Sequence, residues 1–320
     1  MPSLNALMFR REFGLLLTFA LSAALSAGLW GLWTPDLPTA ELQKRYGLTS
    51  QLQVDGLQIH YQDSGRPDAP VLLLLHGFGS SLQTWDAWAA ALTQDHRVIR
   101  LDLPGFGLTG AVPDRDYSDA RDVRTLQHFA DRLGLTQMTV MGHSLGGKLA
   151  WSLAAAEPER VKALVLIAPD GFAPPEQWGT KPYEVPAIMG VIQYSLPKPL
   201  VRSFLKAGFS DPVWLTPPLV DRYHDMLRAP GVRQAILDRA NQTLYSNPEP
   251  RLRQIVAPTL LLWGENDQMI PSSNAASYAQ VLQRSQTVVL PRVGHVVQEE
   301  QAELGLAQVK AFLSQHLRGQ

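Results

Sequence analysis

The chain has 320 residues, enough for one large domain or two ordinary ones with a substantial core. A net charge of −1 leaves no electrostatic footprint for nucleic acid, and the absence of cysteine removes disulfides, thiolate metal sites and a cysteine nucleophile. A hydrophobic fraction of 45% against 18% charged fits a globular protein carrying one extra apolar segment.

That segment comes first. Residues 13–33, FGLLLTFALSAALSAGLWGLW, contain no charge. As a helix they span roughly 30 Å, the hydrocarbon thickness of a bilayer. Arg10 and Arg11 precede the run, and Trp30 and Trp33 close it, where an interfacial aromatic belt falls. We expect an uncleaved transmembrane helix over 13–33. Residues 1–12 are then cytoplasmic and the rest of the chain extracytoplasmic by the positive-inside rule. A signal peptide cleaved after Ser26 is the competing reading, but the apolar run continues past that point. Residues 34–49, with Pro35 and Pro38, read as a linker.

After the linker, strand and helix patterns alternate. Strands are expected at 51–54 and 57–61 around an Asp55-Gly56 hairpin turn. Further strands are expected at 71–75, 97–103, 138–141, 161–168, 259–263 and 287–290. Helices are expected at 85–92, 118–133, 145–156, 272–282 and 299–317. This alternation predicts an α/β sheet covered on both faces, with its core in 50–170 and 251–320. Residues 171–250 break the pattern. They hold 12 of the 24 prolines and nine aromatic residues, which is too long for a plain loop and too aromatic for a disordered insert. We expect an inserted helical cap there, broken by its prolines.

Gly142-His143-Ser144-Leu145-Gly146 lies between a strand and a helix. A G-x-S-x-G turn in that setting lifts the serine hydroxyl off the sheet at a helix N-terminus, so Ser144 is the candidate nucleophile. Serine needs a base, and His295 follows the last strand, at the sheet end where ligand-contacting residues lie. Asp267, in the turn after the 259–263 strand, is the acid expected to orient His295. Asp170 and Glu265 are the alternative acids. The N–H groups of Leu145 and Phe78 are the expected oxyanion donors. Of the other histidines, His143 is expected to point away from Ser144, His76 to shape its loop, and His224, in the cap, to reach substrate. Asp102 reads as a structural residue of the pocket wall. No H-x-x-x-H or H-E-x-x-H sequence occurs and Gly105-x-Gly107 is too short for a dinucleotide site, so no metal and no cofactor is expected.

The segments LLLLHGFGSS, LDLPGFG, MGHSLGG, LLWGENDQMIP and PRVGHVVQEE, in that order, resemble the α/β-hydrolase family over about residues 50–318. The resemblance implies an α/β-hydrolase fold: an eight-stranded, mostly parallel sheet with a helical cap inserted after the sixth strand. It also implies the triad and oxyanion roles given above. Serine at 144 departs from the haloalkane dehalogenase and epoxide hydrolase branches, which use aspartate. Carbon–carbon bond hydrolases commonly carry tryptophan after the histidine, where this chain has Val296. The membrane-anchored monoacylglycerol lipases are similar in layout, and LIAPDGF resembles their sequence after the sixth strand. The expected activity is therefore hydrolysis of small apolar esters by a membrane-bound serine hydrolase. The alternatives are carbon–carbon hydrolysis, perhydrolysis, or a non-catalytic ligand receptor on the same scaffold.

Overall fold

The computed structural model describes residues 33–47, 50–179, 181–182 and 184–316. Eight strands form one sheet: β1 (Ser50–Val54), β2 (Leu57–Ser64), β3 (Val71–Leu75), β4 (Arg97–Leu101), β5 (Met138–His143), β6 (Val161–Ile167), β7 (Thr259–Gly264) and β8 (Ser285–Leu290). Their spatial order is β1-β2-β4-β3-β5-β6-β7-β8. The β1–β2 and β2–β4 pairs are antiparallel, and every other pair is parallel. All eight fall where the apolar runs predict. At the β1–β2 hairpin Asp55 and Gly56 both have positive φ, 49° and 82°, which a type I′ turn requires.

The helices are α1 (Thr39–Tyr46), α2 (Asp86–Leu92), α3 (Asp119–Arg132), α4 (Leu145–Ala156), α5 (Lys198–Leu205), α6 (Pro217–Leu227), α7 (Val232–Gln242), α8 (Glu249–Leu252), α9 (Asn274–Val281), α10 (Val297–Glu300) and α11 (Ala302–His316). The sheet separates two cores. Leu73 and Leu75 of β3 enter one, with Phe129 of α3, Leu149 of α4 and Tyr278 of α9. Leu72 and Leu74 enter the other, with Trp88 of α2 and Phe312 of α11. A strand buried on both faces has no use for alternating polarity, so β3 is a continuous leucine run.

Two expectations change. Residues 39–46, read as linker, form α1, which buries Leu42 against Leu108 and Val232. The preceding turn is bonded to the 194–233 region: Thr34 N–H donates to Tyr194 O at 2.9 Å and Leu37 N–H to Arg228 O at 2.8 Å. Pro38 sits before the first turn, where its fixed φ and missing N–H favour a helix start. The helix expected at 299–317 begins instead at Val297 and is interrupted at Gln301, whose φ of −134° is not helical.

Between β6 and β7 the chain carries α5, α6, α7 and α8. Several begin on prolines, Pro217 and Pro218 of α6 among them, so these residues start helices rather than break them. Among the described residues no helix is long and apolar enough to cross a membrane. The 13–33 segment lies outside the described residues, apart from Trp33.

Candidate active site

Ser144 follows β5 and occupies the N-cap position of α4 with φ 53° and ψ −118°, a region L-residues rarely occupy. The close packing around it explains its glycines. A side chain on Gly142 would collide with the Gly146 carbonyl, and one on Gly146 with that of Leu75. Hydrogen bonds fix the turn. Ser144 N–H donates to Ile167 O, and Ser144 O accepts from Lys148 N–H and Asp170 N–H, each at 3.0 Å. Leu145 is the first residue of α4, so its amide is one of the donors a helix leaves without an internal partner.

His295 and Asp267 are both buried. His295 Nδ1–H donates to Asp267 Oδ2 at 2.7 Å. The other carboxylate oxygen accepts from the amides of Met269 at 2.8 Å and Ile270 at 2.9 Å. The carboxylate is thereby fixed, and with Nδ1 committed, Nε2 is the imidazole nitrogen left for proton exchange. Of the alternative acids, Glu265 accepts from Arg292 N–H at 3.3 Å, and Asp170 lines the cavity, but the carboxylate bonded to His295 is that of Asp267.

The structure brings all five expected residues together. Phe78, Ser144, Leu145 and His295 line one cavity of about 1160 Å³, and Asp267 stands behind His295. That volume lies above the usual range for small-ligand sites. Phe172, Trp178, Leu244, Met269 and Ile270 give it apolar walls. Lys148, paired with Asp119 at 2.7 Å, makes part of the wall polar.

Other histidines set the geometry. His76 is buried, donates from Nδ1 to Gly77 O at 2.8 Å and accepts at Nε2 from Leu103 N–H at 3.0 Å. Burial holds its pKa below the ordinary value, so it is a neutral strut for the loop carrying Phe78, as expected. Asp102 is fully buried. It accepts from the amides of Leu82 at 2.7 Å and Leu108 at 2.8 Å, and pairs with His60 at 2.6 Å. His224, expected to reach substrate, is buried and donates to Leu196 O at 2.9 Å; it does not line the cavity.

Two supporting residues escape sequence reasoning. His143 donates from Nε2 to the His295 carbonyl at 3.0 Å, with the two rings 4.6 Å apart. Burial first, and the neighbouring His295 second, push its pKa well down, so it supports the histidine loop as a neutral ring. Glu300, also buried, accepts from Gly294 N–H at 2.8 Å, immediately before His295, and from Ser210 N–H at 3.1 Å. The adjacency of His143 to Ser144 is the only local signal for the first; the second has none.

A family model for the alpha/beta hydrolase family matches residues 72–309. The chain belongs to the alpha/beta hydrolase family. It is 31% identical over 271 residues to the dihydrolipoyllysine-residue acetyltransferase component of an acetoin cleaving system from Pseudomonas putida, covering 82% of this chain and 69% of that one. It is 29% identical to a 2-hydroxy-6-oxononadienedioate/2-hydroxy-6-oxononatrienedioate hydrolase from Paraburkholderia xenovorans, over 81% and 91% of the two chains. Among solved structures, a bacterial membrane phospholipase A superposes with a TM-score of 0.72 at 28% identity, over 97% of this chain and 99% of that one.

Proposed function

We propose that this hydrolase cleaves carboxylic esters of apolar acyl substrates, with Ser144 as nucleophile, His295 as general base and acid, and Asp267 as the orienting carboxylate. The observation that carries this is the fixed His295–Asp267 pair, whose His295 lines the same large cavity as the strained Ser144 turn. In the first half-reaction Ser144 Oγ attacks the ester carbonyl as His295 Nε2 takes its proton. The N–H groups of Leu145 and Phe78 stabilise the oxyanion. Collapse of the intermediate breaks the C–O bond, and the proton passes from His295 to the departing alcohol. Water, deprotonated by His295, then releases the acid and restores Ser144. Asp267 stabilises the imidazolium in both halves.

The aromatic and aliphatic cavity walls favour an acyl chain. Residues 13–33 serve as a single-pass anchor with the enzyme domain outside the cytoplasm, a reading supported by their sequence and by the membrane phospholipase A among the structural neighbours. Carbon–carbon hydrolysis is the second reading, favoured by the Paraburkholderia relative. Against it, Val296 after the histidine packs with Phe209, Leu215 and Val220.

A substrate panel separates the two. Full-length protein is assayed on p-nitrophenyl esters, monoacylglycerols and a ring-cleavage dienoate, beside Ser144→Ala. Ester turnover that the variant loses by several powers of ten supports the reading. Turnover of the dienoate alone overturns it. Carbonate extraction of membranes tests the anchor: the protein stays in the pellet if 13–33 spans.

A further inference from the structure

Residues 187–193, AIMGVIQ, form a 3-10 helix in which no residue is buried. Ile188 is 76% exposed, Val191 51% and Met189 36%. Tyr194 follows, 57% exposed, and Trp33, 52% exposed, stacks on it with ring centroids 6.0 Å apart. No charged residue occurs from 185 to 197. Ile192 packs partly against Leu196, Val201 and Tyr223, but Ile188, Met189 and Val191 stay on the surface, and contiguous exposed apolar surface marks an interaction site.

The backbone around this surface is tightly held. Beyond the Thr34–Tyr194 bond, Leu196 N–H donates to Thr34 Oγ1 at 3.0 Å. The buried Arg233 donates to Thr34 O at 2.7 Å and Ile192 O at 3.3 Å, and pairs with Asp36 at 2.6 Å. The exposed side chains are therefore displayed from a fixed platform.

What covers them is indicated by the chain itself. The uncharged run 13–33 ends on Trp33, which is part of the surface. A segment that leaves the bilayer at Trp33 delivers Ile188, Met189, Val191 and Tyr194 to the membrane plane. Tryptophan and tyrosine are the side chains that settle at headgroup depth. We propose that the face formed by Trp33, Ile188, Met189, Val191 and Tyr194 inserts into the headgroup–acyl boundary, giving the protein a second, interfacial membrane contact beside its anchor. This rests on the anchor reading of 13–33. It adds that the region between β6 and β7 lies against the bilayer in a set orientation.

Because the chain lacks cysteine, one can be introduced cleanly. Full-length Ile188→Cys, labelled with an environment-sensitive fluorophore, is reconstituted into phosphatidylcholine–phosphatidylglycerol vesicles with or without brominated acyl chains. Glu303→Cys, exposed on α11, is the control. The label at 188 is expected to emit to the blue of the control and to be quenched several-fold by bromine, while the control is unmoved. Water-like emission at 188 in protein that resists carbonate extraction overturns the inference and leaves the anchor intact. Release by carbonate overturns the anchor instead, and this inference with it. Blue emission without bromine quenching, rising with protein density, means a second copy covers the face and also overturns it. In a parallel assay, Ile188→Asp/Val191→Asp should slow hydrolysis of a vesicle-borne ester several-fold and leave a soluble short-chain ester unchanged. No difference between the two substrates counts against the proposal.

Discussion

Glu300 is the residue through which the histidine loop can be perturbed without touching the residues proposed for the chemistry. Its carboxylate is 1% exposed and receives Gly294 N–H at 2.8 Å, Ser210 N–H at 3.1 Å, and the Ser210 hydroxyl. Val296 N–H donates to Gly208 O at 3.1 Å, so the loop on either side of His295 is tied to residues 208–210. Glu300→Gln keeps one acceptor oxygen and sets an NH2 group against donors. One backbone N–H is left without an acceptor, at about 1–3 kcal/mol. Against a total stability of about 5–15 kcal/mol, the protein remains folded. Its catalytic cost is of similar size: a displacement of His295 approaching 1 Å is worth about 10²-fold in rate, about 2.7 kcal/mol. Glu300→Ala removes the acceptor for both amides and should cost about twice as much stability, roughly 2–6 kcal/mol. The assay is kcat and KM on a soluble ester, paired with urea unfolding of the same preparations. The expected pattern is a fall in kcat with KM held, the loss of an interaction that acts in the transition state. A Glu300→Gln variant with wild-type kcat and unfolding midpoint would refute the reasoning.

Gly146→Ala places a methyl group on the Leu75 carbonyl and 2.5 Å from that of His76. It should destabilise the fold by about 3 kcal/mol or more, and a wild-type urea midpoint would contradict this. His76 and His143 are buried with lowered pKa values, so the folded state keeps them neutral while the unfolded chain protonates below about pH 6.5. Stability is fully present above that pH and declines below it, by up to about 1.4 kcal/mol per pH unit for each histidine. Urea unfolding at pH 7.5 and 5.5 measures the decline, and His143→Gln should flatten it; equal stability at the two values would speak against the assignment. Arg239 of α7 pairs with the buried Asp122 of α3 at 2.6 Å and donates to Pro104 O at 2.8 Å. Arg239→Met strands that carboxylate at a cost of about 3–5 kcal/mol. A thermal melt shows this, and Asp122→Asn in the same background should restore part of it.

What could be read from the sequence follows the range of each interaction. The strands are legible because their apolar runs are local, and Leu145–Ala156 is legible because a glycine-flanked serine marks its start. Ser144, Asp267 and His295 stand out because each follows a strand, and the topology brings those strand ends to one side of the sheet. Helix α1 was hidden by Pro35 and Pro38, which suggest a linker. What orders it is contact with residues almost two hundred positions away, such as Arg233 with Asp36. The prolines of 171–250 suggest interruption, whereas at Pro217 and Pro218 they open a helix. The link from His143 to the His295 carbonyl spans 152 positions, and that between Glu300 and Ser210 spans 90; no local pattern records either.

The central claim is that Ser144 is an activated nucleophile. A fluorophosphonate probe, reacted with the folded full-length chain and located by peptide mass spectrometry, tests it most directly. The account predicts a single adduct on Ser144, absent from Ser144→Ala and formed far more slowly in His295→Ala. Folded wild-type protein that stays unlabelled, or that carries the label on another residue, would contradict it.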